Sequence, residues 1–441
     1  MNLLRHVPPR VMAKRLAIGA LVVALLALSL IGVLTITRGT PVRQVVSVSR
    51  TGSMPAVTDS LFVRTFELYT GTVMEQGNVV QVLSNGDESY PPLWRDLRSA
   101  RQSITVQMYF SKPGAVADTM RAVLAERAHA GVRVLLLLDA FGSQELQGDW
   151  ERPLRAAGVE VAWLREPKWY SLHKAGMRSH ARAVVIDGHI GYTGGFGLAD
   201  YWLGNGLEPE QWREANARFE GPAVAQLQAA FATGWAEAAG ELLTGDIFYP
   251  RAGVAPAGTS RAALLHTIPT VGSTAAERFL ALTLAGATRT LWIANSYFVP
   301  DDDFRGLLLA ARKRGVDVRI LVPGEMTDVK STLYAGRARY EELLEGGIRI
   351  WEYQPTMMHA KTIVADGAWA TVGSLNFDNR SMAFNNETTV VVLDSAVGRV
   401  MDSLFVADLR HSKEITLAEF RRRPWTGRVM EWGANLLSRL L

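Results

Sequence analysis

The sequence predicts an α/β fold made of two repeats of one unit, preceded by a single transmembrane helix. Three observations support this prediction. An apolar strand, a helix ending in glycine and a second apolar strand follow one another in both halves of the 441-residue chain. A histidine-containing motif follows in each half, and an uncharged apolar stretch stands near the amino terminus. Because the chain exceeds the usual size of one hydrophobic core, a duplicated unit is expected.

Residues 16–36 form an uncharged stretch, LAIGALVVALLALSLIGVLTI, that is long enough to cross a bilayer as a helix. It is longer than the apolar part of a signal peptide, and no A-x-A cleavage site follows it. We therefore interpret it as an uncleaved anchor rather than a buried core helix. Basic residues are more frequent before it than after it, which places the amino terminus inside the cell and the body outside.

The net charge of +4 comes from the amino-terminal segment. Residues 1–50 contain seven Lys and Arg and no Asp or Glu, which leaves 40 cations against 43 anions in the body. A slightly acidic body is not suited to neutralising a long polyanion, so no nucleic-acid partner is expected. The chain has no cysteine, which excludes disulfides and lipoprotein attachment through a thiol.

The repeated elements alternate between strand and helix patterns. The predicted elements are a strand at 103–110, a helix at 117–131 and a strand at 132–139 in the first half, and a strand at 290–298, a helix at 304–315 and a strand at 316–323 in the second. Both helices end in glycine, the usual carboxyl-terminal stop, and lead straight into a β-branched run. This alternation indicates parallel strands joined by crossover helices in each half.

The chain divides at changes of composition. The predicted divisions are a basic cytoplasmic segment at residues 1–15, the anchor at 16–36, a tether at 37–70, the first repeat at 71–248, a linker at 249–260, the second repeat at 261–420 and an amphipathic segment at 421–441. The linker is rich in Pro, Gly and Ala, and the tether has no strong period. The last segment places Val429, Trp432, Leu436 and Leu440 on one stripe among arginines. We interpret it as an interfacial helix near anionic lipid, the alternative being a helix packed on the body.

Two motifs at equivalent places in the halves carry the chemistry, SHARAVVIDGHIGYTGGFG and MHAKTIVADGAWATVGSLN. Each has a histidine, a cation two residues later and an aspartate seven residues later. These residues are His180, Arg182 and Asp187 in the first half, and His359, Lys361 and Asp366 in the second. On a strand, the histidine and its cation point to the same side. Such a pocket suits a phosphate, because the cation holds the anionic oxygens while the imidazole attacks phosphorus or protonates the leaving oxygen.

Other polar residues follow the motifs. Ser374 and Asn376 lie in a GSLN turn, where a hydroxyl and an amide can donate to phosphate oxygens, and Gly195 is a further candidate substrate contact. Glu387 follows His359 by 28 residues, and Glu214 is the candidate counterpart 34 residues after His180. A carboxylate at such a place could accept from the imidazole Nδ1–H and fix which nitrogen faces the substrate.

The sequence resembles the phospholipase D superfamily, with its H-x-K-x-x-x-x-D signature, and is most similar to bacterial cardiolipin synthases. Segments that carry the resemblance include AHAGVRVLLLLDAFGS, SYFVPDDDF, RGVDVRILVP, MMHAKTIVADG and GSLNFDNRSMAFNNE. The resemblance implies two phospholipase D-like repeats around a pseudo-two-fold axis, each a mixed sheet flanked by helices, with both motifs at one site. It also implies a two-step exchange through a phosphohistidine without metal or cofactor. The first-half histidine is then the nucleophile, the motif aspartates support the strand and turn, and the downstream acids orient the histidines.

The first half departs from the family pattern at two places. Arg182 stands where the family has lysine, which replaces a compact ammonium with a wider fork. Gly197 stands where asparagine is expected and lacks an amide donor. Lys174 and Arg178, close upstream, are candidates to compensate. His173, His180 and His189 lie near one another, but their spacing fits no zinc pattern and no cysteine assists, so no metal site is predicted.

These features together predict a phosphatidyltransferase of the bacterial inner membrane with its catalytic body on the periplasmic side. The expected partners are the membrane and phosphatidylglycerol, which would serve as donor and acceptor and yield cardiolipin and glycerol. Two alternatives stay open at this point. One is a phospholipase D-type hydrolase or nuclease that uses water as acceptor, and the other is a catalytically impaired lipid-binding scaffold.

Overall fold

The computed structural model describes residues 9–38, 42–47, 54–166, 176–251, 253–270, 272–436 and 438. Three side chains considered in the sequence analysis, His173, Lys174 and Leu440, lie outside the described residues.

The first helix, α1 (Pro9–Arg38), contains the predicted anchor. Within it, residues 10–33 are long and apolar enough to cross a membrane, and none of this stretch is buried against the body. Among the described residues it is the one helix with these properties. At 1.5 Å per residue, 24 residues span about 36 Å, which exceeds the thickness of a bilayer hydrocarbon core.

The tether predicted at 37–70 is in part a helix, α2 (Ser60–Thr70). Asp59 caps its first turn by accepting from the backbone N–H of Leu61, and Gly71 ends it in the left-handed conformation. Phe62 and Phe66 are buried in the core of the second half, where their rings contact Trp369 edge-on. Residues 60–70 of the predicted tether thus form a helix, and this short helix is stabilised by packing its apolar face on the core of the second half.

The first half contains a β-sheet with helices on its faces. Its elements are β1 (Glu75–Ser84), α3 (Asn85–Ser99), β2 (Ser103–Met108), α4 (Ala115–His129), β3 (Arg133–Asp139), α5 (Arg152–Ala156), β4 (Glu160–Leu164), β5 (Arg178–Ser179), β6 (Ala183–Ile186), β7 (Ile190–Gly194), β8 (Trp212–Arg213), β9 (Ala215–Glu220) and α6 (Val224–Ala239). The strand order is β1-β9-β7-β6-β2-β3-β4.

The second half repeats this architecture and adds elements at its end. They are β10 (Ser260–Thr267), α7 (Ala275–Gly286), β11 (Thr290–Asn295), α8 (Asp302–Lys313), β12 (Asp317–Pro323), α9 (Lys330–Arg337), α10 (Tyr340–Glu345), β13 (Arg349–Tyr353), β14 (Met357–Met358), β15 (Lys361–Ala365), β16 (Trp369–Gly373), α11 (Asn379–Ala383), β17 (Asn385–Leu393), α12 (Ser395–Leu409), β18 (Ser412–Ile415), α13 (Leu417–Arg421) and α14 (Trp425–Leu436). The strand order is β10-β17-β16-β15-β11-β12-β13-β18.

The two halves share one continuous sheet, because β1 and β10 pair antiparallel at its centre. Outward from this pair the strands follow matching orders, as expected for a pseudo-two-fold axis between two copies of one unit. Within each half, β2-β3-β4 and β11-β12-β13 are parallel, and the other pairings along the path are antiparallel. The predicted α/β fold with two mixed-sheet repeats is confirmed.

The predicted crossover elements match the observed ones to within a few residues. Strand β2 is buried along its whole length, and so is β3 after its first residue, as the apolar runs indicated. Helix α8 begins at the N-cap Asp301, whose carboxylate accepts from the N–H of Phe304. Residues 240–259 connect α6 and β10. The predicted linker at 249–260 corresponds to the second half of this connection, and its last residue, Ser260, already belongs to β10.

Candidate active site

Each motif histidine is held in place by a backbone contact with the opposite half. His180 follows β5, which pairs with β17 of the second half, and His359 follows β14, which pairs with β8 of the first half. The N–H of His359 also donates to the carbonyl of Arg213 at 2.7 Å. Both histidines are nearly buried, with 6 % and 4 % of their surfaces exposed. The two motifs therefore meet at one place between the repeats.

The imidazoles contact carboxylates that are exchanged between the halves. His180 Nδ1 lies 2.8 and 3.0 Å from the two carboxylate oxygens of Glu387. His359 Nδ1 lies 2.5 Å from Oε2 of Glu214. Each glutamate thus contacts the histidine of the other repeat and not the one that precedes it in its own. The reason is topological: Glu214 lies directly before β9 and Glu387 lies within β17, and these two strands flank the central pair close to the pseudo-two-fold axis.

The donors that hold the two glutamates differ between the halves. Ser374 Oγ donates to Glu387 Oε2 at 2.5 Å, so this hydroxyl points at the carboxylate and not into a phosphate site as predicted. In the first half the equivalent position is Gly195, where a Cβ would lie 2.3 Å from a carboxylate oxygen of Glu214. The indole N–H of Trp202 donates to that carboxylate instead, at 3.2 Å. Trp202 therefore takes the place of the serine, and Gly195 leaves room for Glu214.

The motif cations donate hydrogen bonds to the backbone carbonyls of the histidines. Arg182 donates to the carbonyl oxygens of His180 at 2.6 Å and Phe196 at 3.2 Å. Lys361 donates to the carbonyl of His359, and its Nζ lies 3.0 Å from Nδ1 of the same residue. Both cations are buried. Burial, reinforced by the charge of Arg182, lowers the pKa of Lys361 to about 7.

The turn after the second motif supplies an amide. Ser296 Oγ donates to Oδ1 of Asn376 at 2.7 Å, which fixes the plane of the amide. In the first half the corresponding Gly197 has no space for a side chain, because a Cβ would lie 2.4 Å from the carbonyl oxygen of Phe110 and 2.7 Å from the ring of Trp202. In the first half, Phe110 and Trp202 occupy the place where an asparagine side chain would lie. The two halves of the site therefore differ in this amide donor.

The motif aspartates do not reach the histidines. Asp187 and Asp366 both adopt left-handed backbone conformations, with φ of 53° and 56°, at the turn that follows each motif strand. The carboxylate of Asp187 accepts from three successive backbone N–H groups, of residues 101–103, and that of Asp366 from those of residues 288–290. They fix the start of the neighbouring strands β2 and β11, and they act on the site only through the fold.

Burial controls the protonation of the site. Burial, together with the charge of Arg182, lowers the pKa of His180 well below its usual value. Burial and the charge of Lys361 do the same to the pKa of His359. Burial also raises the pKa of Glu214, and it raises that of Glu387 to about 7. Burial thus favours the uncharged forms of both imidazoles and of both carboxyl groups.

Comparisons with known proteins identify the family of this chain. A family model described as cardiolipin synthase, PLD-like domain, matches residues 93–235 and 280–409. A cardiolipin synthase of Geobacillus kaustophilus (strain HTA426) is 35 % identical over 366 residues, which cover 82 % of this chain and 72 % of that protein. A probable cardiolipin synthase of Bacillus subtilis (strain 168) is 31 % identical over 363 residues, with the same shares of both chains. The chain belongs to the cardiolipin synthase family of phospholipase D-like proteins.

A solved structure supports the fold of this family member. The crystal structure of phosphatidylserine synthase from Haemophilus influenzae Rd KW20 superposes with a TM-score of 0.64 and covers 86 % of this chain and 100 % of that one. The sequence identity is 13 %, so the likeness concerns the fold alone.

Aromatic side chains enclose the histidines of this cardiolipin synthase-family protein, and sequence reasoning missed them. The ring of Tyr109 lies 5.0 Å from that of His180, and the ring of Trp212 lies 4.7 Å from that of His359. Tyr297 lies on the His359 side at 6.5 Å. A signal was present, because Tyr109 and Tyr297 each stand before a phenylalanine at the end of the repeated strand patterns SITVQMYF and TLWIANSYF.

Two further arginines from opposite halves lie near His180. The guanidinium of Arg178 stacks over the ring of Phe141 at 4.2 Å. Arg380 donates to the carbonyl of Gly176 at 3.1 Å. Burial lowers the pKa of Arg178 and the charge of Arg380 contributes to this lowering, so both arginines belong to one basic region. No cluster of three or more His, Asp or Glu side chains suited to a metal ion occurs in the part of the chain that the structure describes.

Proposed function

We propose that this protein transfers a phosphatidyl group from one phosphatidylglycerol to the hydroxyl of a second, forming cardiolipin and releasing glycerol. One observation carries the proposal: two buried imidazoles from opposite repeats meet, each with Nδ1 held by a glutamate. This contact directs the other nitrogen, Nε2, toward a substrate. Two imidazoles fixed in this way can act as nucleophile and as acid and base on one phosphorus atom. The family membership supports phosphatidylglycerol as the lipid.

In the first step, Nε2 of His180 attacks the phosphorus of the donor phosphatidylglycerol. The bond between phosphorus and the oxygen of the headgroup glycerol breaks, and His359 gives its Nε2 proton to that oxygen. Glycerol leaves, and the phosphatidyl group stays on His180 as a phosphoramidate. Neutral His180 is the form that attacks, in accord with the lowered pKa that burial gives it.

In the second step, the headgroup hydroxyl of another phosphatidylglycerol gives its proton to His359 and attacks the phosphorus. The bond between phosphorus and nitrogen breaks, which restores His180 and releases cardiolipin. Atoms and charge balance over the two steps, and no metal or oxidant is needed. If water takes the place of the second lipid, the same steps hydrolyse the donor to phosphatidic acid.

The bound lipid itself supports the charge state that the first step needs. The anionic phosphodiester favours the imidazolium form of His359 and raises its pKa, which opposes the lowering that burial causes. Arg182 and Lys361 supply positive charge that stabilises the negative charge developing on the phosphoryl oxygens. The amide of Asn376, oriented by Ser296, is a further donor.

The proposed location is the inner membrane, with α1 as a single-pass anchor and the body on the periplasmic side. Arginine and lysine residues before the apolar stretch outnumber those after it, and this bias supports the orientation.

The test is incubation of the purified full-length protein with labelled phosphatidylglycerol and separation of the lipid products. Cardiolipin and glycerol should form, with phosphatidic acid as a minor product. Dominant phosphatidic acid at all lipid concentrations would assign a hydrolase, and the absence of both products would assign a lipid-binding scaffold. Mass spectrometry of the trapped adduct tests the histidine roles, because a modified peptide with His359 and none with His180 would invert them.

A further inference from the structure

The last helix, α14, presents a stripe of large apolar side chains to solvent. Trp425, Val429, Trp432 and Leu436 follow one another at intervals of four, three and four residues, which places them on one face of the helix. Their exposed fractions are 74 %, 54 %, 65 % and 65 %. In a soluble body such a run would be unusual, because two tryptophans rarely remain this exposed on one short helix.

The opposite face of α14 is fixed to the body. Glu431 is the buried residue of this helix, and the guanidinium of Arg423 contacts its carboxylate at 2.8 to 3.1 Å. Helix α14 packs beside α9. The rotation of the helix is thereby set, and the apolar stripe faces outward because of the fold and not because the chain end is loose.

The stripe lies on the part of the body from which the anchor emerges. A cavity of about 520 Å³ is lined by Arg43, which follows α1, and by Asn435 and Ser438 at the end of α14. Asn379 of α11 lines the same cavity, and α1 contacts α11. Arg43 lies five residues beyond the end of α1, and five extended residues span at most about 17 Å. The end of α14 therefore lies close to the membrane surface.

We propose that α14 docks on the surface of an anionic bilayer, with its apolar stripe at the level of the lipid headgroups. Tryptophan is favoured at this level because its ring is apolar and its N–H is polar. Arg422 and Arg428 are exposed beside the stripe and supply the positive charge that anionic lipid attracts. The helix is a second membrane contact besides α1, and together they fix how the body stands on the bilayer. This inference does not depend on phosphatidyl transfer.

The absence of cysteine from the chain makes a direct test possible. A Trp432→Cys variant of the full-length protein is labelled with an environment-sensitive fluorophore and reconstituted in vesicles of phosphatidylglycerol and phosphatidylcholine that carry a lipid-bound quencher. The matched control is Arg152→Cys on α5, whose side chain is 76 % exposed and which packs next to β4 at the other edge of the sheet.

The probe at position 432 should show a blue shift and a loss of emission, while the probe at 152 keeps the emission of an aqueous label. Equal emission at the two positions would overturn the proposal. Undiminished quenching at 432 in vesicles of phosphatidylcholine alone would overturn its anionic selectivity. A His359→Ala background gives the same readings if α14 docks independently of catalysis, so failure of this inference is distinguishable from failure of the proposed activity.

Discussion

A Glu387→Gln substitution should disable His180 and leave His359 in place, although Glu387 belongs to the same repeat as His359. Both oxygens of Glu387 face His180 Nδ1, at 2.8 and 3.0 Å, and one of them also accepts from Ser374. Glutamine has the same size but replaces one oxygen with an NH₂ group, which places a donor against a donor. Because burial raises the pKa of Glu387 to about 7, a neutral replacement should cost little stability.

The expected loss follows from these contacts. A hydrogen bond to a charged group contributes about 1.5 to 3 kcal/mol, and since each 1.4 kcal/mol is a factor of ten, its loss alone lowers kcat by roughly 10- to 100-fold. Loss of the correct imidazole tautomer lowers kcat further. In serine proteases, replacing the orienting carboxylate by its amide lowers kcat by about 10⁴-fold. We therefore expect kcat for cardiolipin formation to fall by about 10²- to 10⁴-fold.

The assay compares Glu387→Gln with Glu214→Gln, the matched change at the other histidine, on two donors. One donor is phosphatidylglycerol, and the other carries p-nitrophenol, which leaves without help from an acid. Glu387→Gln should form adduct slowly with both donors, since its nucleophile is impaired. Glu214→Gln should recover adduct formation with the p-nitrophenyl donor. The reverse pattern would refute the exchange of glutamates and restore the pairing within each repeat.

Four further predictions concern the site and the membrane. Burial lowers the pKa of Lys361 to about 7, so kcat/KM should fall as pH rises through about 7. Lys361→Arg should move this decline in the pH profile to higher pH. If the decline does not move, another group causes it. Trp202→Phe keeps an aromatic side chain but replaces the indole with a smaller ring that lacks the N–H donor to Glu214, so kcat should drop by roughly 2- to 10-fold, and an unchanged kcat would contradict the role given to this indole. Activity should survive EDTA because side chains supply the charge stabilisation, whereas loss restored by Zn²⁺ or Mg²⁺ would require a metal. A carboxyl-terminal reporter active only outside the cytoplasm should give signal, and signal from a cytoplasm-dependent reporter instead would reverse the topology.

Local pattern and spacing predicted the framework of the molecule well. The strand predicted at 103–110 is observed at Ser103–Met108, and that predicted at 290–298 at Thr290–Asn295. Burial on both faces produces such apolar runs, so they can be recognised without tertiary information. That both motifs meet at one site was implied by the resemblance to the phospholipase D superfamily and not by the motifs alone.

The contacts that cross the pseudo-two-fold axis were beyond this kind of reasoning. Offsets along the chain connect Glu387 with His359, but the sheet order brings it to His180. Gly195 was predicted to contact the substrate, but it leaves room for the carboxylate of Glu214, to which the indole of Trp202 donates. Helix α2 has its own apolar face, yet only the core of the second half shows where that face packs. Each of these features depends on distances between segments and not on local sequence.

The exchange of glutamates has a consequence for biosynthesis. His180 and Glu387 are separated by 207 positions, and Glu214 and His359 by 145. At a synthesis rate of roughly 5 to 20 residues per second, the ribosome needs about 10 to 40 s to make the carboxylate partner of His180 after the imidazole itself. During that interval the nascent first repeat has a histidine without its orienting acid. On the proposed mechanism, the imidazole that attacks phosphorus is oriented only after Glu387 has been synthesised and β17 has paired with β5.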